Sequence, residues 1–135
     1  MRVFFYGTLM DPDVRRLVLG PRAKALRVEP AVLPGYRRVG MRRRSYPVVV
    51  PDPRRSVEGC LAHGVDREQF ARLTDFESDE YVARRRPVVA GGREYSAWVY
   101  VASALAAPTL AEWRFETWRE RHKRAFLRRH RDARR

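Results

Sequence analysis

Near its start the chain places Val3-Phe4-Phe5-Tyr6 in an unbroken apolar and aromatic row that stops on Gly7. A strand with one wet face alternates apolar and polar residues; this one does not, so both faces need cover. The rest of the chain must therefore wrap a central strand from two sides. Its exit is as constrained. Gly7 removes the Cβ where the backbone must bend or be closely approached. Asp11 is a good N-cap and Pro12 suits the first helical position, so the strand runs almost at once into a helix. Backbone N–H groups left free beside such a start suit an anion, and a plain strand-to-helix turn accounts for the same residues.

The material for that wrapping is present. Of 135 residues 44% are apolar and 11% aromatic, enough for one packed domain and too many for disorder. We expect a single unit over 1–127 and a basic, fraying tail over 128–135. Cys60 is alone, which excludes an internal disulfide and marks it as a core filler. The three histidines (His63, His122, His130) offer no metal-ligand spacing. Neither metal nor cofactor is expected. Apolar runs are too short for a membrane span, and the opening run meets Asp11-Pro12-Asp13 without a small-residue cleavage site, so a cytoplasmic protein is expected.

Charge is the one unusual feature, with 29 basic residues against 16 acidic and a net charge of +13. Such a balance invites a nucleic-acid reading. The arginines are spread along the chain, only Lys24 and Lys123 are lysine, and no zinc finger or RNA-binding aromatic spacing accompanies them. A solvated basic surface fits better than a specific nucleic-acid partner.

Punctuation divides the remainder. A helix runs from Asp11 to Leu19 and stops at Gly20-Pro21. Strands follow around Ala25–Glu29 and Ala31–Val39, interrupted by Pro30 and Pro34-Gly35, then a short edge strand at Val48–Val50 and a better one over Ser56–Val65. Asp66 caps a second helix, with Gln69 completing a capping box. Tyr81–Ala90 and Glu94–Ala102 form a hairpin closed through Gly91-Gly92. Ala104–Pro108 connects to a longest helix over Leu110–Arg129, where Trp113, Trp118, His122 and Phe126 read as a packing stripe rather than an aromatic site. These elements make an α+β fold: a small, twisted or closed, mostly antiparallel sheet of about six strands, two short helices and a longer C-terminal helix.

Chemistry concentrates between the second helix and the hairpin, in Leu73-Thr74-Asp75-Phe76-Glu77-Ser78-Asp79-Glu80-Tyr81. A carboxylate cluster of this kind is commonly a solvated turn. Glu77 stands apart because Phe76 precedes it and Tyr81 follows four residues on. Desolvation by aromatic neighbours raises a carboxyl pKa and makes the group fit for proton transfer.

Together these stretches resemble the gamma-glutamylcyclotransferase family, in particular single-domain bacterial gamma-glutamylamine cyclotransferase-like members. Tyr6-Gly7-Thr8-Leu9 is similar to the family's YGTL/YGSL loop, and Leu73, Phe76, Glu77 and Tyr81 stand in the register of its Leu-Asp-x-Phe-Glu-Gly-x-x-Tyr motif. Leu33-Pro34-Gly35-Tyr36, Tyr46-Pro47, Val57-Glu58-Gly59 and Trp98-Val99-Tyr100-Val101 also match, so the resemblance spans almost the whole chain. Thr74, Ser78 and Ala83 depart from the usual Asp, Gly and Arg. The resemblance implies cofactor-independent cyclisation of a γ-glutamyl amide to 5-oxoproline with release of an amine or amino acid. Glu77 would be the general base and then acid, Tyr6, Gly7, Thr8 and Leu9 the substrate-binding loop, and Tyr81 and Tyr100 further substrate-binding groups. Two alternatives remain: a non-catalytic member of the fold that binds a polyanion through its arginines, and a cyclotransferase acting on a γ-glutamylated biosynthetic intermediate.

Overall fold

The computed structural model describes residues 1–133. At its centre is β1 (Val3–Phe5), paired antiparallel with β3 (Pro47–His63) on one side and parallel with β5 (Arg93–Ala102) on the other. Phe4 and Tyr6 join an apolar cluster built from strands, with Leu33, Val49, Leu61 and Val99. Val3 and Phe5 join a second cluster that contains Leu9, Val14, Trp118 and Phe126 from turns and helices. Exposure runs only from 0% at Val3 to 6% at Tyr6, so both faces are covered as the unbroken apolar row requires. Gly59 makes the close pairing with β3 possible. A Cβ there would fall 2.2 Å from the Phe5 carbonyl oxygen and 2.8 Å from the Phe4 ring.

The sheet order is β3-β1-β5-β4-β2, with β4 at Tyr81–Ala90 and β2 at Arg27–Met41, and β2 pairs again with β3. That return closes a five-stranded barrel, and β6 (Pro108–Glu112) adds a strand beside the far half of β2. The expected α+β class and mostly antiparallel sheet are found. So is the hairpin, whose Gly91 and Gly92 have φ of 55° and 76°, the left-handed pair that a two-residue turn needs.

Several boundaries differ from the sequence reading. The expected strand pairs on either side of Pro30 and Pro51–Pro53 are single long strands, β2 and β3. Their register shifts between Pro34 and Tyr36, so that Gly35 lies opposite the stretch from Asp52 to Arg55. Pro34, Pro51 and Pro53 lie at the margin of this bulge, where a residue need not donate to the ladder, so they bend the strands without ending them, while Pro30 stays in register opposite Cys60. The C-terminal segment is also divided. Leu110 lies in β6, Trp113 precedes the first C-terminal helix, and that helix, α3 (Phe115–Arg121), is separated at His122 from α4 (Lys123–Ala133). At 11 residues α4 matches α2 (Arg67–Glu77), so there is no single long final helix. Of the four aromatics read as one stripe, Trp118 and Phe126 are buried in the helical cluster, Trp113 donates its indole N–H to the Ser45 carbonyl at 2.8 Å, and His122 is exposed. The segment set apart as a basic tail is continuous with α4 as far as Ala133; Arg134 and Arg135 lie outside the described residues.

What holds α4 in place is a buried carboxylate. Asp11, 1% exposed, caps α1 (Pro12–Leu19) by accepting from the Asp13 and Val14 amides at 2.8 and 3.3 Å. Its other oxygen is 2.8 Å from Lys123 Nζ, which also reaches Asp13 at 2.8 Å, and 3.7 Å from Arg119 Nε. One side chain thus caps the first helix and anchors the last two. Asp11→Ala is expected to cost about 2–3 kcal/mol, from a lost cap plus the loss of the buried partner of Lys123, which then keeps only the half-exposed Asp13. Asp13→Ala, at the half-exposed end of the same cluster, should cost less than about 1 kcal/mol. Urea midpoints for the two variants check this ordering.

Candidate active site

The exit of β1 is a single 3-10 turn, Thr8–Met10, with Gly7 at its cap. Every carbonyl from Tyr6 to Met10 is held. Arg38 donates to Tyr6 O at 2.9 Å, the Met10 and Asp11 amides bond Gly7 O and Thr8 O at 3.0 Å, and Arg15 donates to Leu9 O and Met10 O at 2.9 Å each. A turn with i to i+3 bonds has no internal acceptor for its first two amides. The N–H groups of Thr8 and Leu9 are therefore the ones left available. The amides at the start of α1 are not, because the Asp11 carboxylate takes them. Anion-binding capacity thus moves from the helix start to the turn before it. Gly7 is tight for a reason that its sequence did not reveal: a Cβ there would meet the Pro47 ring at 3.0 Å.

These turn residues line a cavity of about 300 Å³ at one end of the barrel, and Glu77, Tyr81 and Tyr100 line it too. All seven residues singled out in the sequence thus meet at one place. Glu77 is the last residue of α2, not part of a loop; the helix, started by the expected Asp66–Gln69 capping box, carries through Asp75 and stops at Ser78. Burial pushes the Glu77 carboxyl up to about 8. Its place in the last turn, near the negative end of the helix dipole, acts in the same direction.

The tyrosines form a hydrogen-bonded wall round this carboxyl. Tyr6 donates to the Tyr100 carbonyl at 2.5 Å, and Tyr81 donates to the Pro47 carbonyl at 2.6 Å. Both phenols are held neutral, first by burial; the Glu77 charge adds to it at both, and the other tyrosine hydroxyls add to it at Tyr81. Thr74 gives its only hydroxyl proton to Phe70 O at 3.1 Å, so at its 2.9 Å contact with Tyr100 the phenol is the donor. Burial, with the Glu77 charge adding to it, raises Tyr100 to about 12. Thr74, a departure from the family motif, thus orients the Tyr100 hydroxyl.

Other lining residues were not visible as site residues. Pro47 and Tyr46 come from the start of β3 and the loop before it, and Phe76 and Phe126 form an apolar wall with ring centroids 6.0 Å apart. Arg129 and His130, assigned by sequence to the basic tail, line the cavity as well; the His130 ring is 4.3 Å from Phe126 and 5.3 Å from Phe76. Arg38 was one arginine among many. Its guanidinium is in fact half-buried over the Trp113 ring, with burial lowering its pKa, and it pins the Tyr6 and Glu58 carbonyls. For Arg129 and His130 the signal was helical periodicity in α4, which placed Phe126 inward and therefore these two one turn further along the same side. Cys60 is a partly buried thiol raised to about 11, consistent with an inert filler.

Backbone strain is localised beside this cavity. Among the described residues only Arg43 and Ser78 adopt positive φ without being glycine, and Ser78, at φ 65° and ψ −173°, occupies a region almost reserved for glycine. Such a conformation costs on the order of 1–3 kcal/mol.

The raised Glu77 pKa has a consequence for stability. In the unfolded chain Glu77 loses its proton near the ordinary value of 4.5; in the folded chain it keeps the proton until about pH 8. Between these values the folded state binds more protons, so this group's contribution to stability declines as pH rises from 4.5 and levels off above 8. Glu77→Gln removes that dependence. The variant should be about as stable as the parent at pH 4.5 and more stable by about 2–3 kcal/mol at pH 8, allowing for partial access of water. Denaturant titrations at several pH values measure the difference.

Comparison with known proteins agrees with this geometry. Residues 3–120 match the family described as "Gamma-glutamyl cyclotransferase, AIG2-like". AIG2-like protein A of Arabidopsis thaliana is 30% identical over 128 residues, a match covering 93% of this chain and 76% of that protein. A solution structure of an Arabidopsis thaliana protein superposes with a TM-score of 0.70 at 30% identity, covering 94% of this chain and 85% of the other. A structure described as gamma-glutamyl cyclotransferase shares the fold at a TM-score of 0.61, with 14% identity and coverage of 81% and 71%. With the model match spanning most of its length, the chain belongs to the gamma-glutamyl cyclotransferase, AIG2-like family.

Proposed function

We propose that the protein cyclises a γ-glutamyl amide to 5-oxoproline and releases the amine. The observation that carries this reading is that one small cavity brings the Glu77 carboxyl, which burial pushes up to about 8, together with the turn that leaves the Thr8 and Leu9 amides available. The reaction needs little else. The substrate supplies both reactants, since its α-amino nitrogen attacks its own γ-carbonyl carbon to close a five-membered ring. Holding the chain folded is worth up to roughly 7–11 kcal/mol in favourable cases, and no nucleophile from the enzyme is required.

Proton transfers and one developing charge remain. Glu77, as carboxylate, takes a proton from the substrate ammonium, and the freed amine attacks. The Thr8 and Leu9 amides hold the negative oxygens of the substrate, its α-carboxylate or the oxyanion that forms on the γ-carbonyl. The protonated Glu77 then gives its proton to the departing amine as the C–N bond breaks, and the regenerated carboxylate passes the surplus proton of the ring nitrogen to the released amine, which leaves as its ammonium. A carboxyl at the ordinary value would take the first proton poorly and release the second too readily; one near 8 can do both near neutrality. The wall of neutral tyrosines excludes water and supplies hydroxyls without adding a competing base.

The test is release of 5-oxoproline from a panel of γ-glutamyl amides. For an accepted substrate, kcat/KM should rise with pH through an apparent pKa near 8, because only the Glu77 carboxylate of the free enzyme accepts the proton. Glu77→Gln should lower turnover by about 10²–10⁴ and remove that limb, while Glu80→Gln and Asp79→Asn have far milder effects. Unchanged turnover in Glu77→Gln would remove it from the mechanism.

A further inference from the structure

A second cavity, of about 440 Å³, opens beside the first and shares Tyr46, Ser78, Phe126 and Arg129 with it. Its character is different. Where the first is walled by aromatic rings, this one gathers the guanidinium groups of Arg43, Arg44 and Arg129, with His122 and a single carboxylate, Glu80. Glu80 is already satisfied: Arg44 Nε lies 3.3 Å away and the Tyr46 hydroxyl donates to it at 3.0 Å. Arg43 and Arg129 have no acidic partner among the described residues, so the cavity keeps an uncompensated positive charge. The two non-glycine residues at positive φ, Arg43 and Ser78, both line it. Ser78 stands where the two cavities meet, and its hydroxyl has no partner among the described residues. Strain that glycine would relieve is retained at the two places where a side chain reaches this space.

Resting on the cyclotransferase reading above, we propose that this second cavity receives the leaving half of the substrate and selects amines that carry an anionic group, a carboxylate above all. Cyclisation consumes the glutamyl half within the first cavity. The group on the other side of the scissile amide must leave past Ser78, and the charge it meets there is positive. Arg43 and Arg129 pair with the anionic group, and the Ser78 hydroxyl hydrogen-bonds the amine portion. A cationic leaving group, such as a diamine, would be repelled.

Binding to the Glu77→Gln protein, measured by calorimetry, tests this without relying on turnover. The probes are γ-glutamyl-alanine, its neutral C-terminal amide, and γ-glutamyl-1,4-diaminobutane. We expect the carboxylate to bind at least about tenfold tighter than the amide, since the extra strength of a hydrogen bond to a charged group over a neutral one corresponds to about that factor in affinity, and the diamine to bind weakest. In the Arg43→Gln/Arg129→Gln variant the preference for carboxylate over amide should fall to near unity. Ser78→Gly should raise the melting temperature and weaken all three probes. Where turnover is measurable, kcat/KM should rank the three in the same order. Equal affinity for the carboxylate and the amide, or a preference that survives loss of both arginines, would overturn the proposal. Failure of every probe to yield 5-oxoproline with the parent enzyme, while the binding order holds, would count against the cyclisation chemistry and not against the anionic subsite.

Discussion

The structure depends on one strand that is buried on both faces and flanked on both edges. β1 can be central only because β3 approaches it at Gly59 with no room for a side chain. Phe4 and Tyr6 fill the strand-built cluster, while Val3 and Phe5 face the helices. The strand is three residues long, so its end lies at the rim of the barrel almost as soon as it begins. A short central strand thus delivers the Tyr6–Leu9 turn to the mouth of the cavity, where Arg38 and Arg15 hold its carbonyls and two amides are left over. The same strand exit leads to Asp11, whose buried carboxylate ties α1 to α3 and α4 and so places the aromatic and basic residues of α4 over the opening.

Against that rigid turn stands a carboxyl in an environment that opposes its charge. Desolvation at the end of α2 raises Glu77 to about 8, and the surrounding phenols are too weakly acidic to ionise. The folded state and a charged Glu77 oppose each other here. Ionising Glu77 works against the folded state, and the strained backbone at Ser78 adds to the cost beside it. The sequence places apolar residues generously elsewhere, so the barrel can carry both.

Much of this was legible in the residues themselves. The double burial of β1, the Asp66–Gln69 box, the Gly91-Gly92 turn and the α+β class follow from local patterns whose physics is short-ranged. So does the desolvated setting of Glu77, because Phe76 and Tyr81, its aromatic neighbours in sequence, line the same cavity. What failed were inferences from single residue types. Prolines in β2 and β3 read as strand ends, yet a bulge opposite Gly35 absorbs Pro34, Pro51 and Pro53, and Pro30 pairs in register with Cys60. Leu110 and Trp113 read as helix, yet β6 pairs with a strand far away in sequence, which no local pattern encodes. Arg129 and His130 read as tail because charge alone was counted. Helical geometry carries them onto the same side as Phe126, and the Asp11–Lys123 pair holds that helix down. Arginine was so common that Arg38 and Arg15, which act on the loop, could not be told from solvated neighbours until their partners were known.

The central claim is that Glu77 is a desolvated proton-transfer group facing the substrate loop. Its most direct measurement is the carbon-13 titration of the glutamate side-chain carboxyls, in the parent protein and in Glu77→Gln. A desolvated Glu77 predicts one carboxyl with a midpoint near 8 that is missing in the variant, and that responds to the monoethylamide of glutaric acid, a γ-glutamyl analogue with no α-amino group to attack. A Glu77 carboxyl that titrates near its ordinary value of 4.5, or one indifferent to that ligand, would contradict it.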